Sequence, residues 1–150
     1  MDQPRLDAIL SRYEGSSADL IPVLQDIQDQ YNYLPKDKLK VVAERLQVPM
    51  TQIYSVATFF KMFSLIPKGK HQIKVCLGTT CHLRGGVKIV ESLGHRLGVE
   101  PGYTTKDMMF SLDTVGCLGS CAQEPVMMID DKYFGRAGVD KVPKIIKQFK

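Results

Sequence analysis

Four cysteines, all in the second half of the chain and grouped as two close pairs, constrain this sequence more than any other feature. Cys76 and Cys81 have four residues between them, Cys117 and Cys121 have three, and no cysteine precedes residue 76. The N-terminal MDQPRLDAIL carries two acids and no basic-then-apolar pattern. No secretion signal is therefore expected, and the chain is placed in the cytoplasm, free or within a membrane-associated complex. In a reducing compartment, close cysteine pairs serve as metal ligands or redox groups rather than structural bridges. A chain of 150 residues buries roughly 70% of its unfolded surface, so it needs no disulfide scaffold.

The cysteines also divide the chain. Residues 1–66 are free of them and read as helices. A helix is expected over Leu6 to Tyr13, stopped by Gly15. A second places Leu20, Leu24, Ile27 and Tyr31 on one face, with Asp19 as its N-cap and Pro22 tolerated in its first turn. Leu34-Pro35 breaks it. Leu39, Val42, Ala43 and Leu46 mark a third helix, ended by Val48-Pro49, and Ile53, Val56, Ala57, Phe60 and Phe63 mark a fourth. Four short helices with brief connections suggest a small bundle. Lys68-Gly69-Lys70, within the Pro67–Lys70 segment, is expected to be a solvated linker.

The pattern then changes. Gln72 to Leu77 alternates like a strand and delivers Cys76 at its end. Gly85-Gly86 opens a helix with Val87, Val90, Leu93 and Leu97 on one side. Apolar segments follow at Met108–Val115 and Val126–Ile129, and Asp130-Asp131 forms a hairpin turn to Tyr133-Phe134. A last helix from about Asp140 carries Val142, Ile145, Ile146 and Phe149. Residues 67–150 are thus expected to form a small α/β domain behind the helical one, an α+β chain with boundaries 1–66 and 67–150.

Each cysteine pair is flanked by glycines, Cys76-Leu77-Gly78 and Gly116-Cys117-Leu118-Gly119. Glycine lets the backbone turn tightly and brings N–H groups close to a thiolate, which stabilises an anionic centre and tunes its potential. Two loops of two sulfurs each can enclose a four-thiolate site. Zinc knuckles favour C-x2-C, whereas the spacings here are x4 and x3. The longer intervals suit the wider separation of sulfurs in an iron–sulfur core, but the spacing leaves zinc open. A Rieske centre needs two histidines on one iron, and only His82 lies beside a cysteine, so it is read as a bystander or an outer hydrogen-bond donor. A dithiol protein of thioredoxin type would use C-x-x-C, which is absent.

The run Asp107-Met-Met-Phe110-Ser111-Leu-Asp-Thr-Val-Gly116-Cys117-Leu118-Gly119-Ser-Cys121-Ala-Gln-Glu-Pro125 resembles the signature of the small thioredoxin-like [2Fe–2S] subunit of NADH dehydrogenases. That family extends to NAD(P)-linked hydrogenases, formate dehydrogenases and electron-bifurcating complexes. Val75-Cys76 through Cys81, the segment Val56–Phe63, the Tyr33-Leu34-Pro35 turn and Val126–Ile129 carry the likeness over nearly the whole chain. The resemblance implies that Cys76, Cys81, Cys117 and Cys121 ligate one [2Fe–2S] cluster. It also implies an N-terminal helical bundle followed by a thioredoxin-like α/β ferredoxin domain. The implied role is electron relay in a multisubunit oxidoreductase. The implied partners are a flavoprotein subunit that binds FMN and NAD(P)H, and further iron–sulfur subunits. One position departs from the pattern: Glu124 stands where Gly or Ala is usual. It is expected to point to solvent or to pair with a base on a partner.

Other classes are excluded or set aside. There is no phosphate loop, no dinucleotide fingerprint and no nucleophile beside a base, so no catalytic residue is predicted. Residues 1–66 hold 7 basic and 8 acidic side chains and residues 67–150 hold 13 and 8. This asymmetry is too mild for a nucleic-acid binder. No apolar run approaches the roughly 20 residues that span a bilayer, so no membrane insertion is expected. The remaining alternatives are a zinc-stapled interaction module and a dithiol protein. Met108, Met109, Met127 and Met128 are read as core filler. Phe59, Phe60 and Phe63 are read as mostly core, Lys141, Lys144 and Lys147 as a solvated helix face, and Arg84 as either an exposed arginine or a counter-charge to the cluster. His71 and His95 are assigned no role.

Overall fold

The computed structural model describes residues 3–150. Met1 and Asp2, at the start of the segment read for a secretion signal, lie outside the described residues. Two compact units divide the chain between Pro67 and Lys68.

The first unit contains α1 (Gln3–Leu10), α2 (Leu20–Tyr31), α3 (Lys36–Leu46) and α4 (Met50–Phe59). Leu6, Val23, Leu24, Ile27, Leu34, Leu39, Val42 and Ile53 are sealed into one apolar core. The turn before α2 is held by the Asp19 carboxylate, which accepts the amides of Gly15 at 3.1 Å and Ser16 at 3.0 Å. Pro22 falls in the first turn of α2, where a missing N–H costs nothing. Pro35 and Pro49, both in extended conformation, stand at the N-caps of α3 and α4, while Asn32 and Gln47 close α2 and α3 in the left-handed region.

Two helix expectations need correction. α1 begins earlier than predicted and ends at Leu10, with Tyr13 beyond it. α4 does not continue to Phe63. Phe60 is already extended, because tertiary partners replace the helical ones. The Ser64 amide donates to Gln28 Oε1 at 2.9 Å, and the Ser64 carbonyl accepts the Leu34 amide at 2.7 Å. Phe63 is buried and Phe60 half-buried, and Phe59 is 78% exposed.

The second unit is built on β1 (His71–Cys76), α5 (Thr79–Leu83), α6 (Gly86–Leu97), β2 (Phe110–Val115), β3 (Met127–Ile129), β4 (Lys132–Phe134) and α7 (Val142–Lys147). The sheet order is β2-β1-β3-β4. β1 runs parallel to β2, with His71 opposite Phe110 and Cys76 opposite Val115, and antiparallel to β3, with Ile73 opposite Ile129. Ile73, Val75, Leu112, Met127 and Ile129 of the sheet pack with Ile89 and Leu93 of α6 and Val142, Ile145 and Ile146 of α7. The α+β class read from the sequence is the one observed.

Four details differ from the sequence reading. The core stripe of α6 is centred on Ile89 and Leu93, and Val87 is exposed. Met127 is core, but Met108 is exposed and has φ of 58°. Lys68-Gly69-Lys70 is not a free linker. Lys68 Nζ donates to Asp113 Oδ2 at 2.8 Å, the buried Gly69 amide donates to Ser111 Oγ at 2.7 Å, and the Lys70 amide donates to the Met108 carbonyl at 2.9 Å. His71 has a partner: its Nδ1 lies 2.7 Å from Asp130 Oδ2. Among the described residues, no helix is long and apolar enough to cross a membrane.

Candidate metal centre

Parallel pairing brings thiols that are distant in sequence to one edge of the sheet. Cys76 is the last residue of β1, and its amide donates to the Val126 carbonyl at 3.0 Å. Since Cys76 lies opposite Val115, the chain leaves β1 and β2 at the same edge, and Cys117 follows immediately. Cys81 lies within α5, a five-residue helix that the sequence pattern did not mark, and Cys121 opens a single 3-10 turn, Cys121–Gln123.

Glycine permits the two loops to meet. A Cβ on Gly78 would stand 2.5 Å from the Gly116 carbonyl oxygen and 3.6 Å from Cys76 Sγ. No larger residue fits there without parting the loops. Gly119, between the second pair, has φ of 76°, and from that left-handed conformation its amide donates to Cys117 Sγ at 3.2 Å.

The pairs differ in environment. Cys76 and Cys81 are each 2% exposed and pack with Val126 and Leu118, whereas Cys117 and Cys121 are exposed. Burial of Cys76 opposes its thiolate, but the amides of Gly78 and Leu118 and the thiol of Cys81 donate to its sulfur and outweigh burial. Its pKa therefore lies below the ordinary thiol value. Cys81 is pushed up by burial and by the negative charge of Cys76 and Cys121, despite a bond from the Val126 amide. Cys121 is pushed up by its hydrogen bond to Cys117 and by that neighbour's charge, with Cys76 and Glu124 adding to the repulsion. Four sulfurs that repel one another as anions form a site that a cation stabilises.

The donor set fits a dinuclear centre. Cys117 Sγ and Cys121 Sγ lie 4.0 Å apart, close to the separation of about 3.8 Å expected for two thiolates on one tetrahedral metal. Cys76 and Cys81 form the other hydrogen-bonded pair. The thiols thus lie as two pairs, an arrangement that could hold two irons.

A model of the thioredoxin-like [2Fe–2S] ferredoxin family matches residues 6–150. The chain belongs to that family. Its cofactor is a [2Fe–2S] cluster. Two relatives of this ferredoxin chain are similar over most of their own length. The NADP-reducing hydrogenase subunit HndA of Solidesulfovibrio fructosivorans is 37% identical over 130 residues, covering 87% of this chain and 76% of the relative. A subunit of the NADH-quinone oxidoreductase of Rickettsia bellii is 37% identical over 145 residues, covering 95% and 87%. Among solved structures, an NAD+-reducing [NiFe]-hydrogenase in the air-oxidised state superposes with a TM-score of 0.74 at 19% identity, a likeness of fold. The match takes in 91% of this ferredoxin chain but 23% of the hydrogenase chain.

Two contacts near the cysteines were not legible in the sequence. Glu124 faces a base of its own chain. Its side chain is 20% exposed, and Oε1 lies 3.7 Å from Nε of Arg84 in the same chain. Leu118, a residue that spacing alone does not single out, supplies an amide to Cys76. His82 is exposed on α5.

Proposed function

We propose that this chain is a single-electron relay subunit of a multisubunit NAD(P)H-linked oxidoreductase, with one [2Fe–2S] cluster held by Cys76, Cys81, Cys117 and Cys121. The observation that carries the reading is the convergence of two thiol pairs at one sheet edge. One pair is buried and furnished with amide donors, and the other is open to solvent. When bound, the cluster supplies one-electron storage and transfer. The chain's own residues do the remainder. Gly78 and Leu118 amides donate to the Cys76 sulfur, the Gly119 amide donates to Cys117 Sγ, and Val126 and Leu118 keep water from the inner pair. The exposed Cys117 and Cys121 place the outer pair toward a redox partner.

On this reading residues 1–66 are a helical subdomain and residues 67–150 the ferredoxin domain. The partner is a flavoprotein subunit that binds FMN and NAD(P)H, with further iron–sulfur subunits beyond it. The complex works in the cytoplasm or on the cytoplasmic side of a membrane. The names of the relatives support this assignment, since both belong to NAD(P)-linked assemblies. The test is anaerobic purification of the tagged chain from its own host. Co-purification in fixed ratio with an FMN-containing subunit that oxidises NADH or NADPH is expected. Recovery of cluster-loaded chain that neither binds such a subunit nor is reduced by it would overturn the assignment.

A further inference from the structure

The ion pair between Arg84 and Glu124 joins the two cysteine-bearing segments. Arg84 is the C-cap of α5, three residues after Cys81, and Glu124 is the C-cap of the turn that Cys121 opens, three residues after that cysteine. Their charged groups stand 3.7 Å apart. The two sides are unequally hydrated. The Glu124 side chain is 20% exposed, whereas that of Arg84 is 68% exposed, at the rim of an open groove of about 780 Å³. A pair that wet contributes little to stability, so a role as a clasp between the loops explains its placement poorly. Its electrostatic effect on the neighbouring sulfurs is another matter. Solvent screens the arginine strongly and the half-buried carboxylate weakly, so the carboxylate dominates what the site feels.

We infer that Glu124 holds the reduction potential of this chain's cluster below what the four cysteines and their amides alone would give, and that Arg84 offsets part of that effect. The inference rests on the cluster reading above. Reduction adds a negative charge to a centre that four thiolates already make anionic, and a fixed carboxylate beside it disfavours that addition. Nothing of this requires Glu124 to touch the metal; it is a tuning residue that acts through the field at the outer pair.

The experiment is a redox titration of the anaerobically purified, cluster-loaded chain followed by EPR. Wild type is compared with Glu124→Gln, Glu124→Asp and Arg84→Gln. The expected result is a higher midpoint in Glu124→Gln and a smaller downward shift in Arg84→Gln. Glu124→Asp should stay closer to wild type than Glu124→Gln does, and the EPR line shape should be the same throughout. An unchanged midpoint in Glu124→Gln would overturn the inference. So would a shift accompanied by a changed line shape, or loss of the cluster from Glu124→Gln, since either would make the pair a structural clasp. A wild-type chain with no reduced-state signal would instead overturn the cluster reading itself, and that failure is seen before any variant is compared.

Discussion

Each cysteine occupies a site with its own consequence for substitution. Cys76 receives the Gly78 and Leu118 amides in a setting that is 2% exposed. In the metal-free protein, Cys76→Ala leaves both donors without an acceptor. It should cost about 1–3 kcal/mol in urea unfolding. Cys117→Ala, on the surface, should stay within about 0.5 kcal/mol. Both should abolish normal cluster loading, so stability and loading separate the roles of the two pairs. Gly78 has φ of −57°, which any residue tolerates, so its requirement is space alone. Gly78→Ala drives a methyl against the Gly116 carbonyl and should destabilise the chain by roughly 1–3 kcal/mol while lowering iron content. An unchanged iron content would show that the loops part freely.

Among the elements, those with a clear period were legible in the sequence, and those fixed by tertiary contacts were not. Leu20, Leu24 and Ile27 announce α2, and the alternation of Ile73 and Val75 announces β1, because one face of each must be buried. α5 carries no such signal: it is five residues long and buries only Cys81. The end of α4 is set by Gln28 and Leu34, which no local pattern in residues 60–64 reveals. Lys68-Gly69-Lys70 has the composition of a loop, yet it is pinned by Asp113 and Ser111 across 45 and 42 residues. Lys68→Met should therefore cost about 1–2 kcal/mol in urea unfolding, more than an exposed pair would. The two cysteine pairs were legible in the sequence, and the Arg84–Glu124 pairing was not, since it depends on how two loops face each other.

The turn that leads into β2 predicts a pH effect. The Asp107 carboxylate accepts the Thr105 hydroxyl at 2.5 Å and the Met109 amide at 3.1 Å. The Thr105 bond, then the Met109 bond, hold its pKa below the ordinary 3.8. A carboxylate with a depressed folded-state pKa contributes stability above its unfolded pKa and loses it as pH falls through the folded value. Wild type should thus exceed Asp107→Asn in melting temperature at neutral pH, and the gap should close in acid. A gap that is constant with pH would assign the difference to packing.

For the molecule as a whole, the buried thiols belong to neither of the two apolar cores. The helical core contains no cysteine, and the sheet core is formed by Ile73, Leu112, Met127 and their neighbours. Cys76, Cys81 and Val126 form a small cluster of their own. Removal of the cluster should lower the melting temperature, because binding stabilises the folded state only. It should leave far-UV circular dichroism close to that of the loaded protein, unlike a zinc finger, which unfolds without its metal. Collapse of the helical signal on metal removal would contradict this separation.

The most direct test of the central claim is analysis of iron, acid-labile sulfide and zinc in the anaerobically purified chain, with EPR before and after dithionite. A cluster on four cysteines predicts about two irons and two sulfides per chain, silence as isolated and an S = 1/2 signal on reduction. One zinc per chain without sulfide, and no signal after reconstitution with iron and sulfide, would contradict it.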